Sequence, residues 1–440
     1  MTLDRRDFFR VAGAGAGLAI TGAGVSAAEA EPRRAPFVRS GQIPDAVVVG
    51  AGNFGAWTAL NLQRGGMQVT LLDQYGPGNS RSTSGDETRG VRSSYGDRPQ
   101  GLQWGGWAIR AMKLWQEWDE EHSDETMPLY YTTGDITLRE EVTPFMEQSI
   151  ANWDALGHPY EVLTPDEARY RWPVLHTPEI GAAMYEPSAG VVRARRAIES
   201  VARVFEREGG TIEIGRARLG DAEGRTLADL HLDGGERREA GLFVLALGPW
   251  FHKVLPQLMG KRFRSTAMGH VYYFATPPGD ERFRVPNLPS YNVPETTGWP
   301  ALPGDSRGFR VRAGGGQGDD PDTSIRTVPP ELHDRPRSIL ARYFPALAEL
   351  PINETRACHY CSTVSRNFLI DKHPDYDNAW LAGAGSAESF KQGPVLGRYI
   401  AGRVFGTETD EELNASFRLS EEEYEEGAGR GRGRGGGPGA

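Results

Sequence analysis

The chain has 440 residues, a formal net charge of −10 at pH 7 and only two cysteines. This length exceeds what one small hydrophobic core needs, so we expect two intertwined domains. The acidic balance without a basic stripe, and the lack of an apolar run of about 18 residues after the N-terminal region, argue against a nucleic-acid partner and a membrane span.

The first thirty residues have the pattern of an export signal. Arg5 and Arg6 precede a weakly apolar Ala/Gly run, which ends in small residues suited to cleavage near Ala28 or Ala30. The pattern predicts a twin-arginine signal peptide over residues 1–30 rather than a membrane helix. The signal predicts a periplasmic or extracellular protein. Because the twin-arginine route carries folded proteins, commonly with a cofactor already inserted, the signal also suggests that this protein holds a cofactor.

A glycine-rich turn between a strand and a helix is the strongest local pattern. Ala46–Val49 is typical of a buried parallel strand, and Gly50, Gly52 and Gly55 then give G-x-G-x-x-G before a helical segment. The glycines allow a pyrophosphate to approach backbone N–H groups at the helix N-terminus. Asp73 ends a second predicted strand, where an acid can bind an adenosine ribose. The segment therefore predicts a dinucleotide site.

Both NAD and FAD fit this pattern, and the order of the later elements decides between them. A polar segment, "STSGDETRGVRSSYG", comes next, followed by a helix whose apolar stripe we expect in the core. The stripe consists of Trp104, Trp107, Ala111, Leu114 and Trp118. Further strand and helix patterns return only in "RAIESVARVFEREGGTIEIG", "GLFVLALGPW" and "NAWLAGAGS". A nucleotide domain built from separated segments is typical of FAD-binding oxidoreductases.

The segments predict an α/β flavoprotein with two domains. One is a Rossmann-like FAD-binding domain, and the other is a substrate domain built on an antiparallel sheet. The C-terminal tail is charged and then Gly/Arg-rich, so we expect it to be disordered. The predicted ranges are 44–130, 189–258 and 357–406 for the FAD-binding domain, 131–188 and 259–356 for the substrate domain, and 420–440 for the tail.

Both cysteines lie in "RACHYCSTVSRNFLIDKHP", as Cys358 and Cys361. A structural zinc site needs four ligands, and the sequence has no second Cys pair or close His pair to supply them, so no metal is predicted. A thioredoxin-type pair opens a helix near the front of a βαβ unit, whereas this pair precedes a strand-like segment late in the chain. A disulfide, or a thiol with another use, stays open.

Six motifs in order resemble the monomeric sarcosine oxidase and N-methyltryptophan oxidase group of the D-amino-acid-oxidase-like flavoproteins. They are "VVGAGNFG", "GDETRGVRSSYG", "GVVRARRAI", "LALGPW", "RACHYCSTVSRNFLID" and "SFKQGPVLG". The resemblance implies FAD bonded covalently through Cys358, with Tyr360 and Asp371 at the family's offsets, and makes Cys361 a bystander. A thioether raises the flavin's reduction potential. Some relatives bind FAD noncovalently, and Cys358 would then be a small buried hydrophobe.

The resemblance also implies roles for charged residues. Arg89 corresponds to an arginine beside the isoalloxazine ring, and Arg92 and Lys391 correspond to a pair that holds the substrate carboxylate. An arginine offers a carboxylate a planar fork, and a lysine adds a point charge. Tyr360 is expected among the catalytic residues, with Arg89, Arg92, Arg310, Lys391 and Glu388. Further cofactor contacts are implied for Thr88, Gly248, Trp250, Gly385 and Lys391, in addition to Arg89 and the residues of the glycine turn.

Three positions depart from the family pattern. Arg310 stands where the family has an oxygen-activating lysine, so a cation is kept but its position and hydration change. Gly314 and Glu388 stand where the family has histidines. If Glu388 faces the cavity, it favours a larger, basic or amide-bearing substrate over sarcosine. The alternative is that Glu388 points at solvent or at Arg89.

Taken together, the resemblance implies an exported FAD-dependent amine oxidase. It would oxidise the C–N bond of a secondary or cyclic amino acid to an imine and reduce O2 to H2O2. A dehydrogenase with another electron acceptor is one alternative, because of Arg310. A flavin-binding protein with a degenerate substrate site is another. A small amino acid or amine and O2 are the expected partners, and a monomer is the expected state.

Overall fold

The computed structural model describes residues 45–123, 127–304, 306–315 and 320–425. The predicted signal peptide, residues 1–30, and residues 426–440 of the predicted tail lie outside this range. Within the described part of the chain, no helix combines the length and the apolar character that a membrane span requires.

One sheet has six strands, of which five are parallel and one edge strand is antiparallel. Its central strands consist of β-branched, leucine and phenylalanine residues that are buried on both faces, as parallel strands covered by other layers require. The strand order is Leu369–Lys372, Ala379–Gly383, Leu242–Leu245, Asp45–Val49, Gln68–Asp73 and Thr211–Ile214.

A second sheet has eight strands and is antiparallel except for one parallel pair, formed by Ser290–Val293 and Asp135–Arg139. Its apolar face carries a separate core, which includes Ile136, Tyr291 and Phe309. The strand order is Ile352–Thr363, Phe263–Phe274, Phe309–Gly315, Thr296–Trp299, Ser290–Val293, Asp135–Arg139, Ala182–Glu186 and Glu161–Leu163.

The remaining elements are helices and small sheets. The α-helices are Asn53–Arg64, Gly101–His122, Pro144–Leu156, Pro165–Arg171, Ala194–Arg207, Phe251–Val254, Pro256–Met259, Asp334–Tyr343, Gly393–Phe405 and Glu411–Ser416. The 3-10 turns are Thr83–Gly85, Gly248–Trp250, Glu281–Phe283, Pro330–Leu332, Pro345–Leu347 and Phe390–Gln392. The small sheets use Arg89–Val91, Tyr130–Thr132, Gly190–Val192, Ala217–Leu219, Ala222–Glu223, Thr226–Leu227, Asp229–Leu232 and Arg237–Glu239.

The strand that carries both cysteines belongs to the eight-stranded sheet. All strands of the six-stranded sheet fall within the segments predicted for the FAD-binding domain, but Ile352–Thr363 crosses the predicted boundary at residue 357. Its pairing with Phe263–Phe274 runs almost unbroken along its length, and places Cys358 opposite Gly269. The cysteines therefore lie on the substrate-side sheet, and Cys361 packs against residues of the six-stranded sheet.

The helix Gly101–His122 packs its predicted stripe into the core that covers the six-stranded sheet. Trp104, Ala111 and Trp118 are buried there, while Trp107 and Leu114 are partly buried at its edge. Trp115, which the stripe did not include, is also fully buried. Its indole N–H donates to the carbonyl oxygen of Lys391 at 2.8 Å. This bond fixes the backbone of a predicted site residue against a long helix.

Candidate cofactor and substrate site

One cavity of about 610 Å³ is lined by residues from both large sheets. Gly50 and Asp73 lie on its wall near the ends of parallel strands, and Arg92 and Lys391 lie on another part of the same wall. A cavity at the carboxyl ends of parallel strands is where α/β proteins bind nucleotides, and its volume suits a cofactor-sized ligand.

Each of the three positions in the turn requires glycine for a different structural reason. Gly50 has φ +103°, and a Cβ there would lie 2.3 Å from the carbonyl oxygen of Ala246. A Cβ on Gly55 would lie 1.7 Å from the oxygen of Gly50, so the helix could not pack against the strand. At Gly52, a Cβ would approach Ser84 and cover the N-terminus of the helix Asn53–Arg64. The backbone N–H groups of Ala51 and Asn53 donate to Asp73 and Ser84, while Gly52 and Phe54 line the cavity at the start of the helix.

Asp73 is held by the same turn. Its carboxylate accepts hydrogen bonds from the backbone N–H groups of Ala51 at 2.8 Å, Tyr75 at 2.7 Å and Gly76 at 2.8 Å. Burial raises the pKa of Asp73, although these N–H groups favour the ionised form. The bonds fix the carboxylate at the cavity wall, where it can still accept from a ribose hydroxyl.

Gly248 and Trp250 line the cavity beyond the strand Leu242–Leu245, as predicted. Gly248 has φ +52°, a left-handed conformation that suits glycine. The Trp250 indole N–H donates to Asp322 at 2.7 Å, and Lys253 forms an ion pair with the same carboxylate. This wall of the cavity is therefore rigid and polar, which suits the nucleotide end of a dinucleotide.

Cys358 and Tyr360 are half-buried and line the cavity. Cys361 also reaches the cavity wall but is only 5% exposed, and its side chain packs in an apolar cluster. Burial raises the pKa of the Cys361 thiol to about 12, so it stays protonated at neutral pH. The two thiols form no disulfide. Gly385, another predicted contact, lines the same part of the wall.

Arg89 lines the cavity and is tied to its own loop. It forms an ion pair with buried Asp86 and donates to the carbonyl oxygen of Thr83 at 2.8 Å. Thr88 and Gly55 do not line the cavity, unlike the other predicted contacts. The Thr88 hydroxyl, which is buried, bonds the Tyr273 hydroxyl at 2.8 Å and accepts from the Trp299 indole at 3.1 Å. Thr88 therefore supports the wall from behind.

Glu388 is paired within the chain. Its carboxylate accepts from Lys391 at 2.6 Å, Arg98 at 3.2 Å and the Tyr95 hydroxyl at 3.3 Å. Burial acts to raise the pKa of Glu388, but the nearby cations outweigh it and hold the pKa well below its usual range. The sequence predicts that Glu388 faces solvent, Arg89 or a cation on the substrate, but its partners in the structure are Lys391 and Arg98. Because Glu388 is already paired, it gives no reason to expect a basic substrate.

Lys391 keeps its predicted place but is not a free point charge. It is 6% exposed, and its ammonium donates to the Tyr95 hydroxyl at 2.8 Å as well as to Glu388. Burial lowers the pKa of Lys391, and the Glu388 charge opposes that effect. A substrate carboxylate would therefore share this ammonium with Glu388.

Arg92 is a cation of the cavity wall without a counterion in contact. Among the described residues, none forms an ion pair within 4.0 Å of its guanidinium or a hydrogen bond to it. Burial acts to lower the pKa of Arg92, but the carboxylates of Asp135 and Glu388 outweigh it and the pKa is raised. The guanidinium lines the cavity fully charged, which suits it to bind an anion.

Arg310 is buried at the cavity wall, with its guanidinium carbon 3.7 Å from the centre of the Trp299 ring. Burial lowers its pKa to about 10, and its Nε has no hydrogen-bond partner within the described chain. Gly314, four residues on, has φ +75° and does not line the cavity. A stacked guanidinium therefore replaces the flexible ammonium of the family pattern.

Sequence reasoning missed several residues of the wall. Arg264 and Arg366 line the cavity, and so does Tyr424, whose hydroxyl donates to the Thr363 carbonyl at 2.7 Å. The guanidinium of Arg264 lies 4.1 Å from the centre of the Tyr424 ring. The prediction of disorder from residue 420 onward is therefore wrong for the part up to 425. The sequence feature that could have indicated this contact is the single tyrosine, Tyr424, within a glutamate-rich segment.

The family comparison agrees with this geometry. The model for the DAO family, described as FAD dependent oxidoreductase, matches residues 45–403. The chain belongs to the DAO family of FAD dependent oxidoreductases. FAD fits the site, because Gly50 and Gly52 line the cavity at the N-terminus of the helix, where a pyrophosphate binds, and one cavity continues from Asp73 to Lys391.

Curated relatives in the DAO family cover most of the chain. Monomeric sarcosine oxidase from Bacillus sp. (strain B-0618) is 24% identical over 382 residues, covering 84% of this chain and 94% of that protein. N-methyl-L-tryptophan oxidase from Shigella flexneri is 24% identical over 390 residues, covering 86% and 98%. Peroxisomal sarcosine oxidase from Mus musculus is 25% identical over 378 residues, covering 81% and 90%.

Solved structures show the same fold. Fructosyl amine:oxygen oxidoreductase (Amadoriase I) from Aspergillus fumigatus matches with a TM-score of 0.71 at 21% identity, covering 86% of this chain and 90% of that one. L-proline dehydrogenase from P. horikoshii matches with a TM-score of 0.73 at 19% identity, covering 86% and 97%. The predicted α/β flavoprotein fold is confirmed.

Proposed function

We propose that this FAD-dependent oxidoreductase oxidises the C–N bond of a secondary or cyclic amino acid. The observation that carries the proposal is the guanidinium of Arg92, which has no ion pair or hydrogen bond within the described chain and lines the same cavity as the dinucleotide turn. The relatives named as sarcosine and N-methyl-L-tryptophan oxidases support an N-substituted amino acid as the substrate class. FAD, when bound, supplies the acceptor for the hydride equivalent lost from the substrate carbon.

The residues of the chain bind and orient the substrate. Arg92 forms the main ion pair with its carboxylate, and Lys391 adds a hydrogen bond shared with Glu388. The Tyr95 hydroxyl, 2.8 Å from the Lys391 ammonium, keeps that group in place. Because hydride loss from a neutral amine leaves an iminium that water later hydrolyses, no side chain is required as a general base.

Substrate-dependent bleaching of the bound flavin tests this proposal. Anaerobic mixing with N-methyl amino acids should reduce the flavin, and Arg92→Ala should lower kcat/KM by about tenfold or more, since a lost charged hydrogen bond costs about 1.5–3 kcal/mol. N-methylbutylamine, which has no carboxylate, serves as the control because Arg92→Ala should not lower its rate. A flavin that no amine reduces would favour the alternative of a degenerate binding protein.

We propose further that FAD is bonded through Cys358. Its half-buried side chain lines the cavity, whereas burial keeps the Cys361 thiol protonated. Glycine at position 269, directly opposite Cys358 in the sheet, adds no side chain beside it. The motif around the cysteine supports the same assignment.

The proposed electron acceptor is O2, with H2O2 as the product. The cation at Arg310 supports this, since a buried positive charge stabilises the superoxide-like charge that develops on oxygen. A dehydrogenase with a quinone or protein acceptor is the second candidate. The stacking of Arg310 on Trp299 favours the dehydrogenase, because a stacked guanidinium moves less freely and is more weakly hydrated than an ammonium. Stopped-flow reoxidation of the reduced enzyme with O2 and with a quinone separates the two.

Export by the twin-arginine route is also proposed, on the pattern of residues 1–30. Replacing Arg5 and Arg6 together by lysine should leave flavin-loaded protein in the cytoplasm. Fractionation of cells that express the native and variant chains measures this, and unchanged export of the variant would indicate another route.

A further inference from the structure

Two arginines at the substrate end of the cavity lack a carboxylate partner. Arg366 and Arg264 both line the cavity, and within the described residues neither forms an ion pair within 4.0 Å. Arg89 and Lys391 of the same wall are paired, with Asp86 and Glu388, whereas Arg92, Arg216, Arg310 and Arg312 also lack an ion pair within the described chain. Positive charge at this end therefore exceeds what the chain itself neutralises.

Arg366 is held in an unusual position. It lies in the turn after the strand Ile352–Thr363 with φ +63°, a left-handed conformation that is uncommon for a side chain of this size. Its backbone N–H donates to the Thr363 carbonyl at 3.2 Å, while no described residue is hydrogen-bonded to its guanidinium. Because a half-buried guanidinium is costly without a partner, an anionic ligand is the expected partner.

The electrostatic neighbours of Arg366 place it at the substrate end. They are Arg98, Glu388, Asp97 and Tyr360. Glu388 and Asp97 are also neighbours of Arg92, so the two arginines border the same region. None of these residues belongs to the glycine turn or to the Asp73 loop. The phosphates of a bound dinucleotide, which sit at that turn, are therefore not the partner of Arg366.

Arg264 is directed to the same place by the C-terminal segment. The Tyr424 ring lies under its guanidinium at 4.1 Å, and both Arg264 and Arg366 act electrostatically on the Tyr424 hydroxyl. That hydroxyl is anchored to the Thr363 carbonyl, beside the turn that carries Arg366. The two guanidiniums are thus both neighbours of Tyr424, Arg264 at its ring and Arg366 near its hydroxyl.

The charges can be assigned one by one. Glu388 is neutralised by Lys391 and Arg98, and Arg92 accounts for the carboxylate common to all amino acids. Arg310 is stacked on Trp299, and Arg366 and Arg264 are the unpaired cations beside Tyr424. We propose that the substrate carries a second carboxylate, on the part of the molecule away from the amine, and that Arg366 with Arg264 binds it. This inference rests on the proposed function and assigns its substrate class as N-substituted dicarboxylic amino acids.

A pair of substrates that differ by one charge tests the inference. N-methylglutamate and N-methylglutamine have nearly the same shape, and we expect kcat/KM to be at least tenfold higher for the acid. In Arg366→Asn that ratio should fall toward one, since asparagine tolerates the left-handed backbone but lacks the charge. Arg366→Lys should keep most of the preference. Arg218→Asn, which removes an exposed arginine paired with Asp233, should keep the wild-type ratio.

A binding measurement separates failure of this inference from failure of the proposed function. Glutarate should raise the Tm of the holoenzyme more than its monoamide, glutaramate, and Arg366→Asn should abolish the difference. If no N-methyl amino acid reduces the flavin but glutarate shows this Arg366-dependent effect, the proposed oxidation is wrong and the second carboxylate site stands. Equal kcat/KM for acid and amide, or a ratio that Arg366→Asn leaves unchanged, overturns the inference alone.

Discussion

Lys391 donates a hydrogen bond of 2.6 Å to Glu388, three residues earlier in the chain, and both side chains line the cavity. A carboxylate from the substrate must therefore compete with an internal one for this ammonium. The competition makes Lys391 a weaker anion ligand than its position in the family motif implies. It also leaves Arg92 as the stronger binder of a substrate carboxylate.

Glu388→Gln should change anion binding in a pH-dependent way. The variant frees the ammonium of Lys391, so propionate should bind more tightly at pH 6. Burial already lowers the pKa of Lys391, and loss of the Glu388 charge lowers it further. As the pH rises through that lowered pKa, the ammonium loses its proton and the gain disappears. In the wild type, Glu388 keeps Lys391 charged to higher pH, so binding varies less.

Titration of the flavin absorption spectrum with propionate from pH 6 to 10 measures this effect. Glu388→Asp, which keeps the negative charge, is the control and should follow the wild-type profile. Identical profiles for Glu388→Gln and the wild type would mean that the ion pair has no influence on anion binding.

The two cysteines should differ in a simple chemical test. If FAD is bonded through Cys358, acid precipitation of Cys358→Ala should release the yellow colour into the supernatant. Cys361→Ser should keep it in the pellet, because the Cys361 side chain packs in an apolar cluster and its thiol stays protonated. Absorbance of pellet and supernatant gives the result. Loss of colour from both variants, or from neither, would refute the assignment of the tether.

Asp73→Asn should weaken retention of FAD, best measured in the Cys358→Ala background so that a covalent bond cannot mask the loss. The neutral amide loses the charge-assisted bonds from Ala51 and Gly76, and an equivalent bond to a ribose hydroxyl. Each such bond contributes about 1.5–3 kcal/mol, so Kd should rise by about tenfold to a hundredfold. Fluorescence titration of apoprotein with FAD measures Kd. Equal values for the two proteins would remove Asp73 from the cofactor site.

The nucleotide end of the site was predictable from the sequence because its determinants are local. The glycine turn and Asp73 form one strand–turn–helix–strand unit, whose geometry follows from backbone sterics and burial. The helix Gly101–His122 was likewise predictable from its apolar period. Even there, the burial of Trp115 and its bond to Lys391 depend on a partner 276 positions away.

The substrate end was predictable only where a family motif covered it. Arg98 and Arg366 have no distinguishing local pattern. Arg366 reaches the cavity and Arg98 reaches Glu388 because separate segments meet in the folded chain. Glu388 was located correctly, but its partner was not, since charge pairing depends on side chains from three elements. The strand Ile352–Thr363 was divided at residue 357 because register with Phe263–Phe274 cannot be read from one strand.

Asp135 should make the free energy of unfolding fall as the pH rises, whereas most carboxylates in folded proteins make it rise. It lies opposite Glu186 in the eight-stranded sheet, and burial raises its pKa to about 6 from an ordinary value of 3.8, although the charge of Arg92 opposes the rise. Glu186, Lys391 and Arg139 also act on it. Between these two pH values the unfolded chain has lost a proton that the folded chain keeps. The free energy of unfolding therefore falls as the pH rises through this window, and stays level above it.

Asp135→Asn removes this dependence. The variant should gain stability relative to the wild type as the pH rises from 4 to 6, reaching at most about 3 kcal/mol, and the difference should then stay constant to pH 8. Urea unfolding of both proteins at each pH unit gives the difference directly. The amide also withdraws a negative charge from Arg92, so binding of propionate at pH 8 should tighten in the variant. A stability difference that is flat from pH 4 to 8 would show that Asp135 ionises normally in the folded protein, through a closer contact with Arg92 than the structure has.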